Sequence, residues 1–170
     1  MTASAGLGAR TPSVARTWRR VSVTAVLVLM VGTLATALEP LRVSSDSMSP
    51  TLHPGDQVIV DKVSLRWNDP TVGDLVVFRD PEHGRLVVKR VVALGGQTVA
   101  LQDGRLLVDG VAPFEPQVDL DGIDWMYFGP VAVPPNGVFV LGDNRFDSID
   151  SRTYGSIPLD ELVGRVVLSF

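Results

Sequence analysis

The chain has 170 residues, of which 45% are hydrophobic, and carries a formal net charge of −4 with an isoelectric point near 5.0. This acidic balance gives no basic face, so we expect no nucleic-acid partner. There is no cysteine, which excludes disulfides, a thiol nucleophile and thiolate metal sites. No motif indicates a bound group, and we expect neither a metal nor a cofactor. The length suits one folded domain.

The first 39 residues differ in composition from the rest. Residues 1–20 contain four arginines and no acidic residue, and they predict a basic cytoplasmic tail. Residues 21–39 begin with an uncharged apolar run that would span roughly 27 Å as a helix, so they predict a transmembrane anchor. A cleavable signal peptide is the alternative, because Ala35 and Ala37 have the small-x-small spacing of a cleavage site. Arginines before the run and Glu39 after it predict a single-pass plasma-membrane protein with residues 40–170 outside the cell.

Beyond residue 40 the sequence favours β-structure. Two Asp-Gly pairs, at residues 103–104 and 109–110, predict tight turns. No long segment has a helical period, so we predict a mainly β domain, a coiled sheet or barrel-like fold, on one N-terminal transmembrane helix. Short β-branched runs bounded by Gly, Pro, Asp and Asn predict strands at residues 57–62, 74–78, 85–94, 98–101, 105–108, 137–141 and 164–168.

Residues 111–135 are rich in Pro, Asp and Gly and predict irregular structure. They contain the aromatic cluster at residues 125–128. Two interpretations stay open for this cluster. It is either ordinary core or an exposed patch that rests in the outer leaflet, where Trp and Tyr are favoured.

Two serines, Ser45 and Ser47, follow the apolar segment on a short run that we expect to be extended. A serine hydroxyl needs a base within hydrogen-bond reach to act as a nucleophile. The two histidines, His53 and His83, both lie in turn-forming stretches and are poor candidates. Lys89 lies in an apolar run, where burial can lower its pKa and make the amine neutral. At the reference pKa only roughly one lysine in 2,500 is neutral at pH 7.

Four stretches of the sequence form ordered motifs, namely Ser45–Leu52, Gly73–Phe78, Val88–Gly96 and Gly142–Arg152. Their residues and their order resemble those of bacterial type I signal peptidases. The chain resembles this family from the apolar segment to near the C-terminus. The resemblance implies a Ser-Lys dyad peptidase on a β-rich fold that keeps its anchor and cleaves signal peptides from exported preproteins after small residues.

By this resemblance Ser47 is the nucleophile and Lys89 the general base. The Ser45 hydroxyl joins the Ser47 backbone N–H in the oxyanion hole, and Ser148 orients the lysine. Further charged residues are expected to shape the site around them, namely Arg90, Asp143, Arg145, Asp150 and Arg152. We also predict that apolar side chains form the walls of small substrate pockets, namely Val43, Met48, Leu52, Val87 and Val88.

Two positions depart from the family pattern. Ser44 stands where a proline is common, and residues 93–97 lack the usual Pro-Gly-Asp ending of the lysine box. Both departures affect backbone-shaping positions. They bear on loop geometry and substrate preference, and they leave the predicted dyad intact.

Two other functions remain as alternatives. One is a dedicated processing peptidase of the same fold for a single secretion or conjugation substrate. The other is an inactive anchored domain that binds exported segments, which the presence of Ser47, Lys89 and Ser148 disfavours. A soluble self-cleaving repressor is disfavoured by the predicted anchor and by the lack of a basic DNA-reading helix.

Overall fold

The computed structural model describes residues 37–120 and 125–170. Within these two ranges no helix is both long and apolar enough to cross a membrane. The predicted basic tail and almost all of the predicted anchor lie outside the described residues. The last two positions of the predicted anchor, Leu38 and Glu39, belong to the first strand.

The described chain contains ten strands. One short α-helix, Ser151–Tyr154, and three single 3₁₀ turns, Asp46–Met48, Ser64–Arg66 and Leu159–Glu161, accompany them. The strands are β1 (Leu38–Arg42), β2 (Gln57–Asp61), β3 (Leu75–Arg79), β4 (Leu86–Leu94), β5 (Thr98–Gln102), β6 (Arg105–Val108), β7 (Phe128–Ala132), β8 (Gly137–Leu141), β9 (Ile157–Pro158) and β10 (Leu162–Ser169).

The mainly β prediction is confirmed, and each of the seven predicted strands has an observed counterpart. Three observed strands were not predicted. β1 follows directly from the apolar run and has an exposed burial pattern, β7 lies in the stretch predicted to be irregular, and β9 has only two residues. None of these three carries the alternation of buried and exposed residues that marks a strand in sequence.

The strands form two antiparallel sheets. A seven-stranded sheet has the order β1-β2-β10-β3-β4-β8-β9, and a three-stranded sheet has the order β6-β5-β7. Register shifts interrupt β10 against both of its neighbours and β4 against β8, and bulges of this kind bend and twist a sheet. The large sheet is open, because β1 and β9 lie at opposite edges. It corresponds to the coiled-sheet form of the prediction rather than to a closed barrel.

Both predicted Asp-Gly turns are present. Asp103 and Gly104 join β5 to β6 with φ angles of 49° and 73°, and Asp109 and Gly110 have φ angles of 51° and 78°. Positive φ at both central positions is the requirement of a type I′ turn, which Asp and Gly tolerate better than other residues. The local sequence therefore determines these turns.

Strand β4 is the element that positions the candidate site. It lies between β3 and β8, and residues on both of its faces are buried. On one side Val88 packs with Val43, Met48 and Leu52, while on the other Val87 packs against a separate core cluster. A lysine on such a strand is removed from water unless its side chain can reach the surface.

Candidate active site

Ser47 lies in the single 3₁₀ turn between β1 and β2. This differs from the extended run expected from the sequence. Met48 anchors the turn, because its side chain is 1% exposed and packs in the core cluster with Val88. The carbonyl oxygen of Ser47 accepts a hydrogen bond from the backbone N–H of Asn144 at 3.1 Å. The packing of Met48 and the hydrogen bond from Asn144 in the loop after β8 therefore fix the turn. The Ser47 side chain lines a cleft.

Lys89 reaches Ser47 from the facing strand. Its Nζ lies 2.5 Å from the Ser47 hydroxyl oxygen, and the lysine is only 3% exposed. Among the ion pairs of residues 37–120 and 125–170, none involves Lys89. An amine in this position is desolvated and has a hydroxyl as its immediate polar neighbour.

Burial lowers the pKa of Lys89 from 10.5 to about 8. The charge of Asp150 acts in the opposite direction but is the smaller effect, and Arg152 lowers the pKa further. At a pKa of about 8, roughly a tenth of the lysine is neutral at pH 7, far more than for an ordinary lysine. The amine can therefore accept a proton near neutral pH.

This environment predicts a pH dependence. If neutral Lys89 is the active form, kcat/KM should rise about tenfold per pH unit below the pKa and level off above it, because only the deprotonated amine accepts a proton. We expect the midpoint near pH 8. A pH–rate profile with a peptide substrate measures it, and a profile that is already flat between pH 6 and 7 would contradict this assignment.

Two further serines were predicted to take part. The Ser45 hydroxyl lies 3.2 Å from the Ser47 hydroxyl, so these two side chains are together. The Ser148 hydroxyl is buried and has no hydrogen-bond partner among the described residues. It lies close to Gly142, since a Cβ built on that glycine would be 2.3 Å from the Ser148 Oγ and 2.4 Å from the Ser47 carbonyl oxygen. The lack of a side chain at Gly142 thus leaves space for the Ser148 side chain and the Ser47 backbone.

The charged residues predicted around the site form three ion pairs. Asp143 accepts two hydrogen bonds from Arg90, at 2.7 and 2.6 Å, and a third from the Thr51 hydroxyl at 2.5 Å. Asp150 pairs with Arg152 at 2.8 Å, as the sequence predicts. The third pair involves a residue that the sequence did not single out. Arg145, whose side chain is fully buried, pairs with Glu115 at 2.5 Å.

A cleft with a volume of about 310 Å³ opens above Ser47 and Lys89. Ser44, Val87, Ile149 and Tyr154 contribute to its walls. A second, smaller pocket shares Ser45, Ser47 and Val87 with the cleft. Four of the five predicted pocket residues line this second pocket, namely Val43, Met48, Val87 and Val88, whereas Leu52 does not and packs in the core cluster behind them.

The two histidines occupy different places. His53 is exposed in the turn before β2, and it lies outside the cleft lining. His83 lines the cleft, but its Nδ1 faces Asp80 at 3.4 Å and more than half of its side chain is exposed. Of the hydrogen bonds found in the described ranges, those of the Ser47 hydroxyl involve Lys89 and Ser45. The structure thus brings a lysine, and not a histidine, to the candidate nucleophile.

Sequence reasoning did not assign roles to Asn144, Gly142 and Thr51. Asn144 also donates from its side chain to the Asp46 carbonyl at 3.4 Å, so it contacts the serine turn twice. Gly142 and Asn144 belong to the Gly142–Arg152 stretch, and Thr51 belongs to Ser45–Leu52. The signal was therefore present in the motifs, but a sequence does not show which of their residues contact one another.

The described residues form a mainly β domain in which the Ser47 hydroxyl lies against the buried amine of Lys89. A family model described as "Signal peptidase, peptidase S26" matches residues 15–170. The chain belongs to the signal peptidase family and is a peptidase, a serine hydrolase.

Individual relatives agree with this family. A "Probable signal peptidase I-1" from Synechocystis sp. is 39% identical over 140 residues, which cover 78% of this chain and 70% of that protein. A "Probable thylakoidal processing peptidase 2, chloroplastic" from Arabidopsis thaliana is 42% identical over 155 residues, covering 86% of this chain but only 41% of that protein. The crystal structure of a signal peptidase I from Enterococcus faecalis V583 matches with a TM-score of 0.52 and 29% identity, covering 59% of this chain and 98% of that one. The mainly β fold is thus similar to that of a signal peptidase I.

Proposed function

We propose that this chain is a membrane-anchored serine endopeptidase that removes signal peptides from exported preproteins, with Ser47 as nucleophile and Lys89 as general base. The observation that carries the proposal is the distance of 2.5 Å between Lys89 Nζ and Ser47 Oγ, made by a lysine that is 3% exposed. No structural need explains the burial of a lone amine beside a serine, since it costs stability. Activation of the hydroxyl explains it.

The chemistry has two stages. Neutral Lys89 takes the Ser47 hydroxyl proton as the serine oxygen attacks the scissile carbonyl carbon. The Ser47 backbone N–H and the Ser45 hydroxyl stabilise the resulting oxyanion, and such a donor is typically worth about 3 kcal/mol in the transition state. The C–N bond then breaks, protonated Lys89 gives its proton to the leaving amine, and an ester on Ser47 remains. Water activated by neutral Lys89 hydrolyses that ester.

Ser148 is proposed to orient the Lys89 amine. A neutral amine must direct its lone pair at the serine, which a fixed hydrogen-bond partner achieves. The support is the buried, unpartnered Ser148 hydroxyl, because a buried polar group without a partner is unfavourable unless it serves a purpose or is satisfied during the reaction.

The substrate is proposed to bind as an extended strand along β4. Residues Leu86–Lys89 pair with β3 on one side, whereas pairing with β8 on the other side begins only at Arg90. The open backbone edge lies next to Ser47 and can accept a peptide by strand addition. The pocket beside it has a volume of only about 30 Å³, and this small size supports cleavage after residues such as alanine.

The pocket predicts an effect on selectivity. Val88 lines it and is 7% exposed, so Val88→Ala removes two methyl groups from the wall. We expect kcat/KM for a substrate with valine at position −1 or −3, relative to alanine, to rise by roughly tenfold, as is usual for small changes in an apolar pocket. Competition between the two peptides measures this ratio. Val138→Ala, the same change in a separate core cluster, serves as the control. Equal ratios in both variants would mean that Val88 does not determine which side chains the pocket accepts.

The location is proposed from the N-terminal sequence. A basic segment over residues 1–20 followed by the apolar residues 21–39 orients the chain with its N-terminus in the cytoplasm and the β domain outside. In that arrangement the cleft meets preproteins after their signal peptides have crossed the membrane. Membrane lipid is then a partner of the anchor.

Cleavage by the purified full chain in detergent tests the proposal. The substrate is a preprotein whose signal ends in Ala-x-Ala, and mass spectrometry locates the cut. We expect the wild type to cut after the second alanine, Ser47→Ala to be inactive, and His53→Ala and His83→Ala to cut normally. Failure of the wild type on several such preproteins, or loss of activity in His83→Ala, would overturn it.

A further inference from the structure

The loop that follows β8 carries much of the candidate site, and a residue distant in sequence supports it. This residue is Glu115, in the irregular excursion between β6 and β7. Its carboxylate lies 2.5 Å from Arg145 Nη2. The Arg145 side chain is fully buried and that of Glu115 is 14% exposed. A buried arginine needs such a partner, because an uncompensated buried charge is strongly unfavourable.

Arg145 in turn forms hydrogen bonds with residues of the loop that contacts Ser47. Its Nε donates to the Gly142 carbonyl at 3.1 Å, and its own carbonyl accepts a hydrogen bond from Arg152 at 2.7 Å. Gly142 in turn donates its N–H to Asp150 at 3.0 Å. The glycine lies so close to Ser148 and to the Ser47 carbonyl that a side chain at this position would collide with both. A continuous set of contacts therefore runs from Glu115 to the nucleophile.

Other contacts join the same excursion to the same loop. Arg152 Nη1 lies 3.0 Å from the Met126 sulfur, and the rings of Trp125 and Phe146 meet edge to face at 6.0 Å. Among the described residues, the excursion thus contacts the Gly142–Arg152 segment at three places, namely Arg145, Phe146 and Arg152. Of these three contacts only that of Glu115 is an ion pair, and among the ion pairs of the described residues Arg145 has no other carboxylate partner. Arg145 Nη1 has no hydrogen-bond partner in the described part of the chain.

We propose that Glu115 is a positioning residue for the serine–lysine pair: its carboxylate fixes Arg145, and Arg145 fixes the Gly142–Ser148 turn against Ser47. The proposal rests on the function proposed above. It gives the irregular excursion between β6 and β7 a part in catalysis without any contact between Glu115 and the reacting atoms.

Glu115→Gln tests the proposal, because it keeps the shape of the side chain and removes the charge. Arg145 then has to leave its buried place or remain uncompensated, and either response loosens the Gly142–Ser148 turn. We expect kcat to fall roughly 10- to 100-fold, as small misplacements of catalytic groups do, with KM little changed. We also expect the midpoint of the pH–rate profile to move upward from about 8, because water that enters beside Lys89 raises its pKa toward 10.5.

Controls separate positioning from general destabilisation. Glu115→Asp keeps the charge on a shorter side chain. Its kcat and the midpoint of its pH–rate profile should lie between those of Glu115→Gln and the wild type. Glu161→Gln makes the same chemical change at an exposed site and should match the wild type. If Glu115→Gln does not fold, Glu115→Asp alone should show a smaller shift in the same direction.

A readout that needs no substrate keeps this test independent of the proposed function. The chain has two lysines, Lys62 and Lys89, so NMR of protein with ¹³C-labelled lysine follows the titration of Lys89 directly, and Lys62→Arg assigns its signal. A higher Lys89 midpoint in Glu115→Gln than in the wild type supports the positioning role even if no preprotein is cut. Wild-type values for both kcat and the Lys89 midpoint in Glu115→Gln would overturn it, while leaving the peptidase proposal untouched.

Discussion

Lys89→Met should abolish cleavage and at the same time stabilise the folded protein. Methionine fills a similar volume but has no lone pair that can take the Ser47 proton. Loss of one member of a nucleophile–base pair lowers kcat by roughly 10⁴-fold or more. We therefore expect cleavage by Lys89→Met to be as low as that by Ser47→Ala.

The gain in stability follows from the lowered pKa of Lys89. The folded-state pKa of about 8 lies below the ordinary value of 10.5, so between these values the unfolded chain binds more protons than the folded chain. The folded protein is thus penalised by roughly 3 kcal/mol below pH 8, and the penalty disappears as the pH rises through 10.5. Lys89→Met removes the penalty, so its free energy of unfolding at pH 7 should be higher than that of the wild type.

Cleavage rates together with denaturant unfolding at pH 7 measure both effects. Ser47→Ala is the matched control, because it should be inactive without the same gain in stability. Residual cleavage by Lys89→Met above the level of Ser47→Ala would show that another group is the base. An inactive but strongly destabilised Lys89→Met would show that the lysine has a structural role.

Gly142→Ala should disable the site by steric means. The added Cβ would lie 2.3 Å from the Ser148 Oγ and 2.4 Å from the Ser47 carbonyl oxygen, distances at which atoms must move apart. Ser47 is held by its backbone, so relief of the clash shifts the nucleophile or Ser148 away from Lys89. We expect kcat of the folded protein to fall by at least roughly 100-fold, because catalysis is sensitive to displacements of about 1 Å.

Gly95→Ala provides a steric control, because the atoms that its Cβ would meet belong to Pro134 and Pro135 and not to the dyad. Its Cβ would lie 2.2 Å from the Pro135 carbonyl oxygen, so the crowding is comparable. Both variants should have lower melting temperatures, but only Gly142→Ala should lose kcat when rates are corrected for the folded fraction. Equal kcat values in the two variants would mean that the Gly142 contacts do not position the serine.

The sequence was most informative where a local rule decides the structure. The Asp103-Gly104 and Asp109-Gly110 turns and the β-branched strands follow from short-range preferences, and the structure contains them. Strands β1 and β7 lack such a signal because most of their residues are exposed, and pairing with β2 and β5 determines them. These pairings depend on tertiary structure, which local patterns do not encode.

The candidate site shows the same contrast between local contacts, which the sequence predicts, and long-range contacts, which it does not. Ser47 and Lys89 are 42 positions apart, and it was the order of four motifs, not periodicity, that indicated their partnership. The Arg152–Asp150 pair is local and could be predicted. The Glu115–Arg145 pair joins residues 30 positions apart through an irregular excursion, and Leu52 packs in the core rather than lining the pocket. Contacts of this kind are fixed by how the loops pack on the sheet.

The central claim is that Lys89 is a base with a lowered pKa, and the pH titration of its side chain in the wild-type protein tests it most directly. NMR of the ¹³C-lysine-labelled full chain gives the midpoint, with Lys62→Arg to assign the signal. We expect a Lys89 midpoint near 8. A midpoint at or above 10.5 would mean that burial does not lower the pKa of Lys89 and that almost none of the amine is neutral at pH 7, and it would contradict the assignment of Lys89 as the base.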